Sequence, residues 1–258
     1  MRYDSKKRYS DCLFLLAVLL TAAVPKSAFG ENPAEIVNPP LYLVYDVTYA
    51  GGKIAEVDFT ESRPYSYKGQ TVRDLECRIE SSGLFNLNGR YLSIVADDYS
   101  VIYFRSDEGR PGDKRIVEYR LDYQNQSAAV IDNRVKGADT ISTTSHIDNI
   151  DKKYFDTVSM IFKIRQEIGS IKAPYYIPLF MGGRQDSILI ESISDAQSIG
   201  RNGEAVDAFL IKAKLPYSPY PGFGDGIEIY ISKDEDRVPL RGRIQMALGY
   251  MEINLRPR

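Results

Sequence analysis

The sequence Val238-Pro-Leu-Arg-Gly-Arg-Ile-Gln-Met-Ala-Leu-Gly-Tyr-Met-Glu-Ile-Asn-Leu255 decides the fold class. Its first half alternates apolar with polar residues: Val238, Leu240, Ile244, Met246 and Leu248 against Arg237, Arg241, Arg243 and Gln245. This period of two predicts a half-buried β-strand. After Gly249 the phase changes, and the apolar set becomes Met251, Ile253 and Leu255. Because a one-residue slip moves every side chain to the other face, Gly249 is predicted to mark a bulge or a tight turn.

The same alternation continues through most of the chain. Leu41–Tyr49 places an apolar or aromatic residue at every odd position, and Ala50-Gly51-Gly52 predicts a turn. Ile54–Thr60 then returns with Ala55, Val57 and Phe59 on one face, which completes a hairpin pattern. Further strand-like segments are 71–81, 92–104, 116–123, 128–132, 187–193, 205–215 and 227–232. The polar segment 105–113, which contains Gly and Pro, is predicted to be a loop.

One segment follows the period of a helix instead. Between Asp156 and Gly169, the residues Ile161, Ile164 and Ile168 fall at helical spacing. Asp156 suits the N-cap, and Gly169 suits a left-handed residue at the C-terminal end. The pattern predicts one amphipathic helix.

Short, half-polar strands with one helix indicate an all-β, mainly antiparallel fold. We expect a curved β-barrel or half-barrel with the amphipathic helix packed against it. Clean alternation argues against a parallel sheet, whose strands are buried on both faces. The predicted organisation is a signal peptide at 1–30, a flexible leader at 31–40 and a single β-barrel domain at 41–258.

The first thirty residues have the order of a secretory signal peptide. Basic residues (Arg2, Lys6, Lys7, Arg8) precede the apolar run Cys12–Val24, and Ala28-Phe29-Gly30 provides a small-x-small cleavage site. The apolar run is shorter than the roughly 20 residues of a membrane span. We therefore expect a periplasmic protein that touches the membrane only transiently. A retained signal sequence acting as an anchor is the alternative.

The charge balance disfavours nucleic acid as a partner. The first 30 residues hold five of the 33 Lys and Arg and two of the 35 Asp and Glu. Residues 31–258 therefore carry 28 basic against 33 acidic residues, a net charge near −5. Nucleic-acid binding requires clustered positive charge. Cys77 would be the only cysteine left after cleavage, so no internal disulfide is expected, and its strand position predicts burial.

No catalytic, metal or cofactor site is predicted. The single histidine, His146, stands beside Ser145 and near Asp148, but adjacent strand residues point to opposite faces, so we expect a loop histidine and no triad. Asp97-Asp98 and Asp234-Glu235-Asp236 lack the ligand spacing of a calcium loop, and the second is predicted to be a hairpin turn. A hydrolase with carboxylates converging inside the barrel is an alternative that sequence spacing does not test.

Two segments with many aromatic residues, 173–183 and 215–226, are predicted to be loops at a barrel mouth. Their candidate ligand-binding residues are Tyr175, Tyr176, Phe180, Tyr217, Tyr220 and Phe223. Aromatic rings framed by Pro and Gly offer contact area for an apolar ligand or a protein partner. In the alternative interpretation, the same rings fold back over the core as a lid.

Several motifs resemble a known family. Asp156-Thr-Val-Ser159, Ile177-Pro-Leu-Phe-Met-Gly-Gly183 and the segment 229–240 are similar to those of an exported bacterial family, domain of unknown function 3108, and 45–55 fits its opening hairpin. The resemblance implies a curved antiparallel barrel and supplies no catalytic residues. The implied fold is also broadly similar to the half-barrels of Lol-type periplasmic lipoprotein carriers, where a helix covers an apolar cavity. The Pro- and Tyr-rich loop 215–226 and the lack of Trp at 227–232 depart from the family pattern.

Together these patterns predict a non-enzymatic protein of the cell envelope. It would bind a lipid or another apolar ligand in the barrel. The alternative is a structural or envelope-assembly protein that docks a protein partner through its aromatic loops.

The signal-peptide pattern makes a direct prediction. Cleavage after Gly30 should give a mature chain that begins at Glu31. Intact-mass measurement of protein recovered from the periplasm checks this, and a mass that includes residues 1–30 would contradict it.

Overall fold

The computed structural model describes residues 41–81, 88–110, 112–200, 202–215, 223–246 and 249–257. The strands are β1 (Leu41–Tyr49), β2 (Gly52–Glu61), β3 (Tyr65–Tyr67), β4 (Gln70–Ser81), β5 (Asn88–Ala96), β6 (Val101–Arg110), β7 (Asp113–Asp122), β8 (Ser127–Lys136), β9 (Asp139–Asp148), β10 (Tyr175–Met181), β11 (Arg184–Ile199), β12 (Ala205–Lys214), β13 (Phe223–Ser232), β14 (Pro239–Met246) and β15 (Gly249–Leu255). Helix α1 (Thr157–Glu167) lies between β9 and β10.

All strands belong to one antiparallel sheet. Its order is β10-β11-β12-β13-β14-β15-β1-β2-β4-β5-β6-β7-β8-β9, with the short β3 paired to β4. Strands that follow one another along the chain are therefore mostly neighbours, and β1 pairs with β15 in the middle of the sheet. Over the described residues the sheet does not close, because β9 and β10 are its two ends. The predicted mainly antiparallel fold with one packed helix is confirmed for the described chain.

The turns at two glycines agree with the sequence. Ala50 (φ 50°) and Gly51 (φ 79°) both have positive φ, as the turns that match the twist of a hairpin require. Gly249 has φ 87° and lies opposite Met246, so the chain reverses direction between β14 and β15. The predicted change of phase at Gly249 therefore corresponds to a tight turn.

Two segments predicted to be loops are strands, and these predictions were wrong. Residues 105–110 and 113 lengthen the two strands of the β6–β7 hairpin, where opposite charges such as Asp107 and Lys114 (3.3 Å) approach each other diagonally across the strands. Charged side chains do not interrupt a strand when they lie on its solvent side. His146 is likewise in a strand, β9, whose residues are almost all exposed on both faces. With neither face buried, β9 has no alternation for sequence reasoning to detect.

Helix α1 begins at the predicted N-cap. The Asp156 carboxylate accepts hydrogen bonds from the backbone N–H groups of Val158 and Ser159, both at 2.7 Å. The Ser159 hydroxyl in turn accepts from the Asp156 N–H at 2.9 Å, which completes a capping box. The C-terminal prediction was wrong: Gly169 has no left-handed φ. The N–H groups of Ser170 and Ile171 donate to the Glu167 carbonyl there instead.

The apolar face of α1 is buried, as predicted. Ile161, Ile164 and Ile168 are at most 2% exposed. Phe162 lies between two aromatic rings, with its centroid 4.9 Å from that of Phe59 and 5.4 Å from that of Tyr99. The helix is therefore part of the core.

A second aromatic cluster fills the other part of the described interior. Phe104 stacks on Tyr119 at 4.6 Å, and Tyr119 meets the edge of Phe180 at 4.9 Å. The Tyr119 hydroxyl donates to the Phe180 carbonyl at 2.8 Å, so its polar atom is satisfied. Cys77, on β4, is fully buried, as its strand position predicted.

The other side of the sheet carries cross-strand ion pairs. On β12–β15, Glu228 contacts Lys212 (3.7 Å) and Arg243 (2.9 Å), and Arg243 continues to Glu252 (3.4 Å). Exposed pairs of this kind each contribute little to stability. They identify this side as the solvent face. Among the described residues, no helix is both long and apolar enough to span a bilayer.

The buried face of α1 makes a prediction about stability. Ile164→Ala should lower the free energy of unfolding by about 2–5 kcal/mol, because truncation leaves a cavity in a packed core. Ile141→Ala is the matched control, since Ile141 is 66% exposed on β9. Urea unfolding monitored by circular dichroism measures both, and equal effects for the two variants would contradict the packing of α1.

Candidate functional site

The strongest candidate site is at the beginning of β10. Residues 172–176 form a run of five exposed residues that ends with Tyr175 and Tyr176. Tyr176 is 62% exposed and Tyr175 is 36% exposed, although both are large aromatic residues. Exposed aromatic rings are typical of binding surfaces, and because strand neighbours point to opposite faces, these two rings lie on either side of the start of β10.

The register of the sheet places the strand residues that flank the second aromatic segment in one row with the start of β10. Tyr176 lies opposite Leu189 on β11, Leu189 opposite Lys214 on β12, and Lys214 opposite Gly226 on β13. The start of β10 is therefore level with the ends of β12 and β13 that flank residues 216–222, in one row across the sheet, with β11 between them. We call residues 172–176, with the adjoining ends of β12 and β13, the aromatic end.

Part of the predicted site lies outside the described residues. Tyr217 and Tyr220 are in the segment 216–222, which is not described. Phe223 begins β13, but its side chain is not described either. Their role at the aromatic end stays a prediction.

Phe180 does not belong to the exposed rim. It is fully buried, with its ring against Tyr119 and 6.1 Å from that of Tyr154. The segment 174–181, predicted to be a loop, is mostly strand β10, and its last three residues are all buried. Both faces of this half of β10 are buried. The segment is therefore an interior strand and not the exposed loop that was predicted. For Phe180, the interpretation as an aromatic folded into the core is the right one.

Strand β10, which carries Tyr175 and Tyr176, is hydrogen-bonded along both of its edges. One edge of β10 pairs with β11. On the other edge, the Phe155 N–H donates to the Pro178 carbonyl (3.0 Å), and the Phe180 N–H donates to the Phe155 carbonyl (2.8 Å). Tyr154 links the same segment to β6, because its carbonyl accepts from the Val101 N–H at 2.9 Å. Tyr175 and Tyr176 thus project from a fixed strand.

Asp156 connects this segment to α1 and is the most unusual titratable group nearby. Its side chain is completely buried. Burial raises the pKa of the carboxyl from 3.8 to about 6, although hydrogen bonds from Ser159 and Val158 oppose the shift. The cap that starts α1 is therefore a carboxyl group whose ionisation costs free energy in the folded state.

A further polar cluster was missed by sequence reasoning. Glu61 accepts hydrogen bonds from Arg73 (2.9 Å) and from the Tyr99 hydroxyl (2.8 Å), and Arg165 on α1 lies 3.4 Å from its other oxygen. Burial first, and then the Glu61 carboxylate, raises the pKa of Tyr99, so its hydroxyl remains a donor. Arg165 also donates to the Asp236 carbonyl at 3.0 Å. These residues are far apart in sequence and hold α1 over the sheet, and no sequence signal marks them.

The candidates for catalysis do not come together. The His146 Nε2 is 3.2 Å from the Asp148 Oδ1, but both side chains are largely exposed on the edge strand β9. Ser145 is the strand neighbour of His146 and lies on the opposite face. The three residues therefore do not form a hydrogen-bonded triad.

The acidic clusters are turn elements. The Asp234 carboxylate accepts from the Ser232 hydroxyl (2.7 Å) and from the Arg237 N–H (3.0 Å) in the turn between β13 and β14, as predicted. Asp98 caps the β5–β6 turn by accepting from the Ser100 N–H at 3.0 Å. Over the described part of the chain, no three His, Cys, Asp or Glu side chains are grouped so as to hold a metal ion.

Comparison with known proteins identifies the family. The model described as "Protein of unknown function (DUF3108)" matches residues 44–256. The chain belongs to this family. The family predicted from the sequence motifs is thus confirmed, and its model spans the sheet from within β1 to the end of β15. No curated protein matches this DUF3108 chain.

A solved structure similar to this DUF3108 protein is a crystal structure of a beta-barrel-like protein of domain of unknown function DUF1849 from Brucella abortus. The two share 9% sequence identity at a TM-score of 0.49. The similarity covers 84% of this chain and 96% of that one.

The Asp156 cap predicts a pH dependence. The folded-state pKa of about 6 is above the unfolded value of 3.8, so the folded state binds more protons between these values. The stability that this group contributes is complete below the unfolded pKa and is lost as the pH rises through the folded pKa. In Asp156→Asn, which keeps a capping side chain, this loss should disappear.

Between pH 4 and pH 7.5, the wild type should lose about 2–3 kcal/mol of unfolding free energy relative to Asp156→Asn. Urea titrations at the two pH values measure the difference. Asp139→Asn removes the same charge from an exposed position and serves as the control. An identical pH dependence in wild type and Asp156→Asn would show that the cap does not titrate in this range.

Proposed function

We propose that this DUF3108 protein is a non-enzymatic protein of the cell envelope that docks a protein partner at the aromatic end. The observation that carries the proposal is the exposure of Tyr175 and Tyr176 on a strand whose other half is buried. Tyr is among the residues enriched at protein interfaces, where few side chains contribute most of the binding energy.

The fixed base of the two tyrosines favours this role. Both edges of β10 are hydrogen-bonded, to β11 and to the segment 154–156. A rigid Tyr loses little conformational entropy when a partner covers it, so more of the contact energy contributes to affinity. Lys172 and Pro174, also exposed, give the same surface a positive charge and a stiff backbone.

The interior supports docking better than transport of an apolar ligand. In the described residues, α1 and the aromatic clusters around Phe162 and Phe180 occupy the space inside the curved sheet. A lipid in that space would have to displace these rings, with the loss of their packing. Binding of a lipid or another apolar ligand stays a prediction, and the experiment below tests it in parallel.

The envelope location rests on the N-terminal pattern of basic, apolar and small residues. That segment lies outside the described residues. Ser145 lies on the other face of β9 from His146 and Asp148, so these three residues supply no catalytic triad.

Native mass spectrometry of the protein purified from the periplasm of its own cell tests the proposal. We expect the wild type to carry a second polypeptide at fixed stoichiometry. Tyr175→Ser combined with Tyr176→Ser should release it, because losing even one productive ring contact, roughly 1.5–3 kcal/mol, weakens affinity about tenfold or more.

The matched control is Tyr42→Ser combined with Tyr250→Ser. These tyrosines are 37% and 39% exposed, similar to Tyr175, but lie on β1 and β15. Partner retention by the control and loss from the Tyr175 and Tyr176 variant would support the aromatic end. A co-purifying lipid with no second polypeptide would support the carrier function instead, and partner binding that is equal in both variants would remove the aromatic end from the interface.

A further inference from the structure

Strand β9 leaves one end of the sheet open. It pairs with β8 from Ser127–Asp148 to Lys136–Asp139, in an uninterrupted register of ten residue pairs. Its other edge has no strand beside it within the described ranges. Nine of its ten residues are exposed, including Ile141 at 66%. A strand edge of this kind presents unpaired backbone N–H and C=O groups as a template for another strand.

At the opposite end of the sheet, the outer edge of β10 is covered by another segment of the chain. There, the segment 154–156 covers β10 with two backbone hydrogen bonds. Natural edge strands are usually protected by Lys, Pro, a bulge or an inward-pointing charge. Between Thr140 and Ile147, β9 contains no Pro and no Lys, and His146 is its only ionisable residue. Its register with β8 shows no bulge.

We infer that β9 is a self-association surface, on which β9 of a second copy of this chain pairs in antiparallel orientation. An isologous antiparallel pair has its two-fold axis perpendicular to the sheet. Residues that face each other then lie on the same side of the sheet in both copies. The strand must therefore be complementary to itself on each face separately.

The sequence of β9 meets this condition with Thr144 on the axis. Ile141 of one copy is then opposite Ile147 of the second copy, and Thr143 is opposite Ser145. On the other face, Thr144 is opposite Thr144 and Asp148 is opposite Thr140, so no two carboxylates meet. Apolar and Thr–Thr cross-strand pairs of this kind stabilise antiparallel sheets. The neutral centre and the separated acidic ends favour a second copy as the occupant.

Disulfide trapping tests this register on the full chain. Thr144→Cys should form a covalent dimer under mild oxidation, because cross-strand Cα atoms are about 4.5–5.5 Å apart and a disulfide spans this distance. Thr140→Cys lies on the same face but eight residues from its counterpart, about 26 Å along the strand, and should stay monomeric. Cys77 is buried, so it contributes little background, and Cys12→Ser removes the other cysteine of the full chain.

Charge substitutions provide the second measurement, by sedimentation equilibrium. Thr144→Lys places two like charges opposite each other and should raise the dimer dissociation constant about fivefold or more. Thr140→Lys faces Asp148 of the second copy and should leave the dimer at least as stable. Circular dichroism checks that both variants fold.

Trapping of Thr144→Cys, together with weaker dimerisation of Thr144→Lys than of Thr140→Lys, would support the inference. A wild type that stays monomeric at high concentration, with no trapping at position 144, would overturn it. A dimer that is equally stable in both Lys variants and is not trapped would place the interface elsewhere and also overturn it. These outcomes are independent of the second polypeptide that the aromatic end is proposed to bind.

Discussion

The apolar face of α1 fills the space around which the sheet curves, and the rest of the fold depends on this packing. An open antiparallel sheet with one apolar face needs something to cover that face. Here Phe162 enters between Phe59 and Tyr99, and Ile161 and Ile164 are buried beside it. The sheet is thus wound around a helix that it encloses only in part.

Two devices fix the helix in this position. At its N-terminus, the buried Asp156 caps the first turn. Toward its C-terminal end, Arg165 reaches Glu61 on β2, which Arg73 and Tyr99 also contact. The first device is local in sequence and the second connects distant strands. Together they determine where the chain leaves α1 and hence where β10 begins.

The two ends of the sheet differ in a way that bears on function. The second half of β10 is buried in the interior. There the segment 154–156 forms backbone hydrogen bonds with its outer edge and with β6. It exposes only the first two tyrosines. The end at β9 exposes nearly the whole strand, and among the described residues no strand lies beside its outer edge. A rigid aromatic surface suits recognition by side chains, whereas an open edge suits recognition by backbone pairing.

The sequence by itself determined the strands that have one buried face, the capped helix, the turn at Gly249 and the family. Each of these leaves a local signal, since one-sided burial imposes a period of two and a cap requires a specific residue at a helix end. Only the tertiary structure decided that the segments of β9 and β10 are strands and how far each is buried. One has neither face buried and the other has both faces covered over half its length, so the alternation is lost in both. The same holds for the candidate site: sequence reasoning found Tyr175 and Tyr176, but Phe180 is buried because distant strands enclose it, and that enclosure is a property of the fold alone.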